Sequence, residues 1–418
     1  MSKKKSFNMN FSLFLMGRLI SDAGTGVQTM IIPLYVLDIG GSAAMVGILS
    51  FLSLLPSLIV SPFAGVLGDR VNRKTIMVVT DFVSGTVVLA LALLAYAGRM
   101  NIGLLMAVQI IISLMNGLFD PATRGMMTEL ASEDKLGETN SIVTAIKSLS
   151  FMLGPIIGTL IYGKYGITTV FLVNGVSFLL SAICEMMIRY TYIKHKLVGG
   201  ISGVTEDIIE GFKFIMDNEI IRRLCYFFLA IYFVVQPLIK VVLPLLFKTQ
   251  LSYSDTQYGY LQAIVILGVF IGSIMVGSVF GKEKNNIRPL KIGCILLVVS
   301  MFMFSSILFP NILYKLGNGS VSYFILLAGV LCLLSASIMI ITIPVQTYIQ
   351  RETPNGYMSR VLSMVSLISR GGTPFGALIY GIVLNSVAIH LTLLVAAIFM
   401  AFLTAAFLRS AVRTMKFL

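Results

Sequence analysis

Val321 to Pro344 reads VSYFILLAGVLCLLSASIMIITIP, 24 residues without a charged side chain. A helix needs about 20 apolar residues to cross the hydrocarbon of a bilayer. A backbone in lipid finds no water to bond, so such a segment must satisfy its own amides and is read as a helix rather than a strand. Similar segments fall at roughly 11–37, 44–67, 75–97, 102–125, 139–163 and 168–189, and then at 222–247, 257–280, 290–309, 360–384 and 386–409. The bulk composition agrees. Of 418 residues 57% are apolar and 12% charged, with a mean hydropathy of +0.94, whereas a soluble domain carries about 25% charged residues. The expected fold is an all-α membrane protein of about twelve transmembrane helices.

The formal charge is +13, but the basic residues sit in short loops rather than in one stripe, so a nucleic-acid partner is excluded and the lipid bilayer takes its place. Their distribution sets an orientation. With twelve spans, the side holding both termini carries 23 Lys and Arg, from Lys3, Lys4 and Lys5 to Lys416, and the other side carries four: Arg99, Lys164, Lys248 and Lys315. Both termini are therefore expected in the cytoplasm, with the chain multi-pass in the plasma (inner) membrane. Lys3 to Lys5 before an apolar run superficially resembles a signal peptide. The run continues to about Leu37 without a small-residue cleavage site, so it is kept as the first span. The four cysteines lie apart inside apolar segments and read as packing residues.

One polar stretch of any length occurs, and it divides the chain into an N-terminal six-helix half (1–189), a linker (190–221) and a C-terminal six-helix half (222–418). Gly199 to Gly203 reads as flexible. From Thr205 to Asn218, Ile208, Ile209, Phe212, Ile215 and Met216 share one helical face opposite Glu206, Asp207, Glu210, Lys213 and Asp217, which predicts an amphipathic helix along the membrane. An internal repeat supports the halves: GTLIYG at Gly158–Gly163 returns as GALIYG at Gly376–Gly381, 218 residues later. Pro121 precedes Glu129 by eight positions, as Pro344 precedes Glu352. Paired six-span repeats place a substrate path between the halves.

Between the second and third segments the chain reads Gly65-Val66-Leu67-Gly68-Asp69-Arg70-Val71-Asn72-Arg73-Lys74. This resembles the loop signature of the major facilitator superfamily, Gly-x-Leu-x-Asp-Arg-x-Gly-Arg-Arg/Lys. One glycine is replaced, by Asn72, which also tolerates left-handed backbone. The resemblance implies that Asp69 caps the start of span eleven, near Ser359 to Val361, where the helix dipole favours an anion. It also implies that Arg73 pairs with an acid at the end of span four, here Glu129, and that these bonds hold a cytoplasmic gate shut. Span five carries Gly154-Pro155-Ile156-Ile157-Gly158, similar to the Gly-Pro-x-x-Gly element of the superfamily's antiporters, with Ser150 where a preceding glycine is usual. The stretch from Pro121-Ala122 through Glu129-Leu130, Leu136 and Thr139-Asn140, and the linker, resemble the macrolide-efflux branch. What this implies is a secondary active carrier that exports amphiphilic drugs such as macrolides by proton antiport and alternating access. A small-molecule substrate, protons as coupling ion, no cofactor and a monomeric carrier go with it. One departure stands against drug–proton antiport: the intramembrane arginine usual in span four is missing, with Ile112 near its place.

Ionisable residues in mid-span cost about 2.5–3.5 kcal/mol on insertion scales and are functional candidates. Arg18 and Asp22 lie one turn apart in span one, Lys240 near Gln236 in span seven, and Arg370 in span eleven. Lys147 can reach the interface, while Asp81 and Glu185 are expected near the cytoplasmic surface. Asp22 is the leading proton-coupling carboxylate, with Asp120 in reserve. By the superfamily's cavity-lining pattern, Arg18, Gln28, Asn116, Gln236, Lys240 and Arg370 come within reach of a substrate. The bland alternatives are a self-neutralising Arg18–Asp22 pair and structural contacts for Lys240 and Arg370. An anionic or lipid-like metabolite is the rival cargo, and a non-transporting receptor or scaffold the rival class. An enzyme is not expected: with two histidines, His195 and His390, and no GxSxG, HExxH or phosphate-loop pattern, the chain offers neither a nucleophile with its base nor a metal cluster.

Overall fold

A computed structural model describes residues 2–70, 72–130, 136–189, 200–251, 253–280, 287–354 and 358–415. Every expected apolar segment is helical over nearly all of its length. These are α1 (Ser2–Asp38), α2 (Ala43–Arg70), α3 (Arg73–Tyr96), α4 (Ile102–Leu130) and α5 (Leu136–Met187), then the linker helix α6 (Gly200–Asp217). There follow α7 (Glu219–Val234), α8 (Leu243–Thr249), α9 (Asp255–Met275), α10 (Ile287–Ile307), α11 (Pro310–Leu316), α12 (Val321–Glu352), α13 (Met358–Val383) and α14 (Ile389–Met415). Two π-helical turns, Leu238–Val242 and Val276–Phe280, interrupt the second set. No strand occurs among the described residues.

Nine helical stretches among the described residues are long and apolar enough to cross a membrane. Helices α1 and α13, which carry polar residues such as Arg18, Asp22 and Arg370, are not among the nine. Helix α5 is two helices merged across Gly166, whose φ of 75° makes the bend; only glycine takes that conformation without strain. Large apolar side chains such as Leu93, Ile274 and Phe402 stand exposed, which is what a lipid solvent permits. The chain is an all-α membrane protein.

Two compact units emerge: Met1–Gly41 with Phe51–Thr205, and Ser42–Ser50 with Glu206–Leu418. The opening turns of α2 thus group with the second unit, where a Cβ on Gly47 would lie 2.6 Å from the Ala377 carbonyl oxygen.

In the first unit, α1 lies along both halves of α5. A Cβ on Gly154 would sit 2.7 Å from the carbonyl carbon of Gly26, and one on Gly158 3.0 Å from the Val27 oxygen. Small residues let backbones approach this closely, and such approach supplies the packing that lipid cannot drive. The second unit repeats the device. Gly372 and Gly376 lie 218 positions after Gly154 and Gly158. A Cβ on Gly372 would lie 2.6 Å from the Leu229 oxygen of α7, and Gly376 presses on the Phe233 carbonyl. The sequence repeat is therefore also a packing repeat, fifth span on first and eleventh on seventh.

The linker helix begins at Gly200, five residues before the expected start. Glycine in a helix costs about 1 kcal/mol relative to alanine, which weakens a helix without forbidding it. Glu210 forms an ion pair with Arg360 of α13, and a Cβ on Gly211 would lie 3.0 Å from the Arg360 oxygen. Ile215 is buried, while Ile209 and Phe212 stay exposed, so the apolar face is only partly covered.

Candidate functional site

The loop signature folds as the end of α2 and the start of α3. Gly65, Leu67, Gly68, Asp69 and Arg70 are helical, but their side chains lie outside the described residues, as does Val71. Asn72 differs from expectation. Its φ of −54° is not left-handed; it caps α3 instead, its side-chain oxygen accepting from the Lys74 amide at 2.9 Å. An N-cap of this kind is worth about 1 kcal/mol, a reason for Asn that glycine could not match fully. Arg73 reaches α4: a Cβ on Gly125 would lie 2.6 Å from its guanidinium carbon. Glu129, one turn further along α4, has its side chain outside the described residues. Lys74 turns the other way. Its ammonium donates to the carbonyls of Met186 and Ile188 at 2.7 and 2.8 Å, closing the end of α5, where a cation also suits the helix dipole. Asn10 bonds both the amide and carbonyl of Arg189 beside it.

Pro155 lies within α5, between Gly154 and Gly158, where the ridge meets α1. The Thr159 hydroxyl donates to the Pro155 carbonyl at 2.9 Å.

Of the mid-span charges in α1, the Arg18 guanidinium meets the Asp22 carboxylate at 3.0 Å, with side chains 6% and 14% exposed. Arg18 also lies over the Phe119 ring of α4, 5.1 Å from its centroid. Asp120 and Lys147 act electrostatically on Asp22. Asn116 and Asp120 are half-buried one turn apart on α4. Gln28 is taken up by packing: buried, it accepts from Asn174 of α5 at 2.7 Å.

In the second unit, Lys240 sits half-buried in the π-helical turn after α7, one turn beyond half-buried Gln236. Turns of this kind are common at functional sites because the extra residue re-aims side chains. Arg370 of α13 is exposed and is the charge that acts on Lys240. Neither has an ion pair among the described residues.

Two acids outside the expected set turn out to be deeply enclosed. Asp81 of α3 is 2% exposed and Glu185 of α5 is 1% exposed. Both carboxylate oxygens of Glu185 and one of Asp81 find no hydrogen-bond partner among the described residues. Helix packing encloses them, which is compatible with their expected place toward the cytoplasmic surface. The one sequence signal was an acid inside each apolar segment, and depth along a segment does not reveal which face is covered.

A helical carrier with charges inside the apolar spans of two repeated units is the class these features define, and the comparisons agree. Residues 14–377 match the Major Facilitator Superfamily, so the chain belongs to that family and is a membrane transporter. It is 22% identical over 396 residues to macrolide efflux protein A of Streptococcus pyogenes, covering 93% of each chain. It is 23% identical over 397 residues to the multidrug efflux pump Tap of Mycolicibacterium fortuitum, covering 91% of each. Among solved structures, the nucleoside transporter NupG superposes with a TM-score of 0.76 at 11% identity, over 96% of this chain and 98% of that one. A bacterial homologue of the iron transporter ferroportin, in an inward-facing state, gives 0.72 at 16%, over 96% and 98%. These last likenesses speak for the fold.

Proposed function

We propose that the protein is a twelve-span, proton-driven exporter of amphiphilic drugs such as macrolides, working as a monomer in the plasma (inner) membrane by alternating access. The substrate class rests on similarity along nearly the whole chain to relatives named as efflux pumps. The observation that carries the coupling is Asp22, an acid in mid-span paired with a buried arginine and within electrostatic reach of Asp120 and Lys147. An acid so placed exchanges protons only as the hydration around it alternates. Each 100 mV of membrane potential gives about 2.3 kcal/mol per charge moved, enough for uphill export. Asn116, Asp120, Gln236, Lys240 and Arg370 are proposed to line the substrate path with Arg18.

In this reading Asp69 caps span eleven and Arg73 pairs with Glu129, and together they close the cytoplasmic gate. The close fit of Arg73 to Gly125 supports the second contact. Gly154, Pro155 and Gly158 form the antiporter-like hinge against α1. Both termini and the 190–221 linker lie in the cytoplasm, supported by the 23-to-4 basic asymmetry. Cysteine labelling at positions 3, 200 and 416 tests this, and labelling from outside intact cells overturns it.

A second reading is favoured by one observation: Lys240 and Arg370 are two neighbouring cations with no ion pair among the described residues. A carrier for an anionic or lipid-like metabolite would place its acidic group there. Screening resistance and accumulation in a pump-deficient host, with Lys240→Gln and Arg370→Gln alongside, separates the two. Export of neutral or cationic drugs unaffected by either variant supports the first reading; accumulation of an anionic metabolite that both variants abolish supports the second.

A further inference from the structure

Three helices of the first unit converge where Gly17 lets α1 approach α5. A Cβ on Gly17 would lie 3.2 Å from the Ser181 hydroxyl and 3.5 Å from the Cys184 Cβ. Ser181 is fully buried, and its hydroxyl lies beside the Asp81 carboxyl of α3. One turn along α5 from Ser181 is Glu185, on which Asp81 and Arg18 are the acting charges. Helices α3 and α5 are drawn together at the next level, where a Cβ on Gly85 would lie 3.1 Å from the Gly175 carbonyl oxygen.

The charges here do not balance. Asp22, Asp81 and Glu185 set three carboxyls against one guanidinium, that of Arg18. From α4 Asp120, another acid, acts on Asp22, as does Lys147 of α5. Lys74 of α3 is held by the carbonyls that end α5, and Arg124 of α4 is exposed. Asp22 has Arg18 as partner. Among the described residues Glu185 has no donor on either oxygen, and a bare carboxylate in such a place lacks both the water and the hydrogen bonds that would stabilise it. Two protons make the cluster neutral. No grouping of acids, histidines and cysteines among the described residues could hold a metal ion, and a proton both cancels the excess charge and supplies the O–H that an unpartnered carboxyl lacks, so the ligand that fits is the proton.

We propose that Asp81 and Glu185 form a proton-binding site enclosed between α1, α3 and α5, joined electrostatically to the Arg18–Asp22 pair and separate from half-buried Asp120. The site deepens the proton-antiport reading, resting on it for its use in transport but not for its existence. Protons would load and leave through Asp22, whose side chain is the more accessible of the three. No bond other than O–H forms or breaks.

Infrared spectra of the full chain in liposomes at neutral pH, recorded in H2O and D2O, test the site without any substrate. The expected wild-type spectrum has a carboxylic-acid C=O band that shifts in D2O. Asp81→Asn and Glu185→Gln each remove about half of it, and the double variant removes all of it. These variants keep shape and neutrality, so thermal stability should stay at the wild-type level. If wild type minus variant shows the loss of ionised carboxylate bands instead, or if the acid band survives in the double variant, the proposal is overturned. Because no drug is present, these outcomes stand whether or not the export reading does. Ethidium export by wild type into acid-loaded everted vesicles tests that reading separately.

Discussion

Removing either member of the Arg18–Asp22 pair should destabilise the protein, and the two losses should be unequal. The ion pair spans 3.0 Å with both side chains largely buried. Deleting one partner of a buried pair typically costs about 3–5 kcal/mol, because the other charge is left uncompensated. Arg18→Met takes away the cation that faces Asp22, Asp81 and Glu185 together. It also removes the contact with the Phe119 ring, worth about 2 kcal/mol when desolvated. Its loss should therefore reach about 5 kcal/mol. Asp22→Asn keeps a hydrogen-bonding side chain and lets Asp81 or Glu185 release its proton and become the counter-charge of Arg18, so about 3 kcal/mol or less is expected. Removing both charges of a buried pair leaves neither uncompensated, so Arg18→Met with Asp22→Asn should lose less than Arg18→Met alone. Equilibrium unfolding in mixed micelles of dodecyl sulfate and a mild detergent measures all four corners of this cycle. If the double variant loses the sum of the single losses, or if Asp22→Asn costs more than Arg18→Met, the electrostatic account of this cluster is wrong.

Adjacent glycines give a sharper test of helix contact. Gly372→Ala should destabilise by about 1–3 kcal/mol, as overpacking does, because its Cβ meets the Leu229 carbonyl; Gly371→Ala meets nothing within 4 Å and should be neutral or gain up to about 1 kcal/mol from helix propensity. Equal thermal shifts for the two would refute the packing repeat. Gly125→Val should lower transport at normal expression by displacing the Arg73 guanidinium, while Gly163→Ala, in open space, should leave flux unchanged; flux assays in proteoliposomes check both. Asp69→Asn should insert normally yet lose transport more than tenfold, since one charge-assisted hydrogen bond is worth about 1.5–3 kcal/mol and the gate is a two-state equilibrium. Wild-type flux in that variant would remove the gating role.

The helices were legible because lipid leaves the chain little choice: a long apolar run must bond its own amides. The ridge at Gly154 and Gly158 could be read for a related reason, since small residues at four-residue spacing inside a span mark close backbone approach. Other features depend on partners far away in the chain. Lys74 ends α5 through residues 112 and 114 positions later, and no local pattern reveals that. Asp81 and Glu185 each stand alone in an apolar segment, and their shared burial exists only once α3 lies on α5. Gln28 looked free to meet a substrate until Asn174, 146 positions on, took its side-chain oxygen. The π-helical turn at Lys240 comes from a single extra residue in the turn, which hydropathy cannot register.

Uptake of radiolabelled erythromycin into everted vesicles from a pump-deficient host tests proton-driven export itself. The vesicle interior corresponds to the cell exterior, so an acid interior should drive uptake. One proton per drug would supply about 1.4 kcal/mol, or about tenfold accumulation, for each pH unit imposed. Uptake should rise with the gradient, collapse with a protonophore, and lose its pH dependence in Asp22→Asn. Uptake no greater than in control vesicles at verified expression, or uptake indifferent to the gradient, would contradict it.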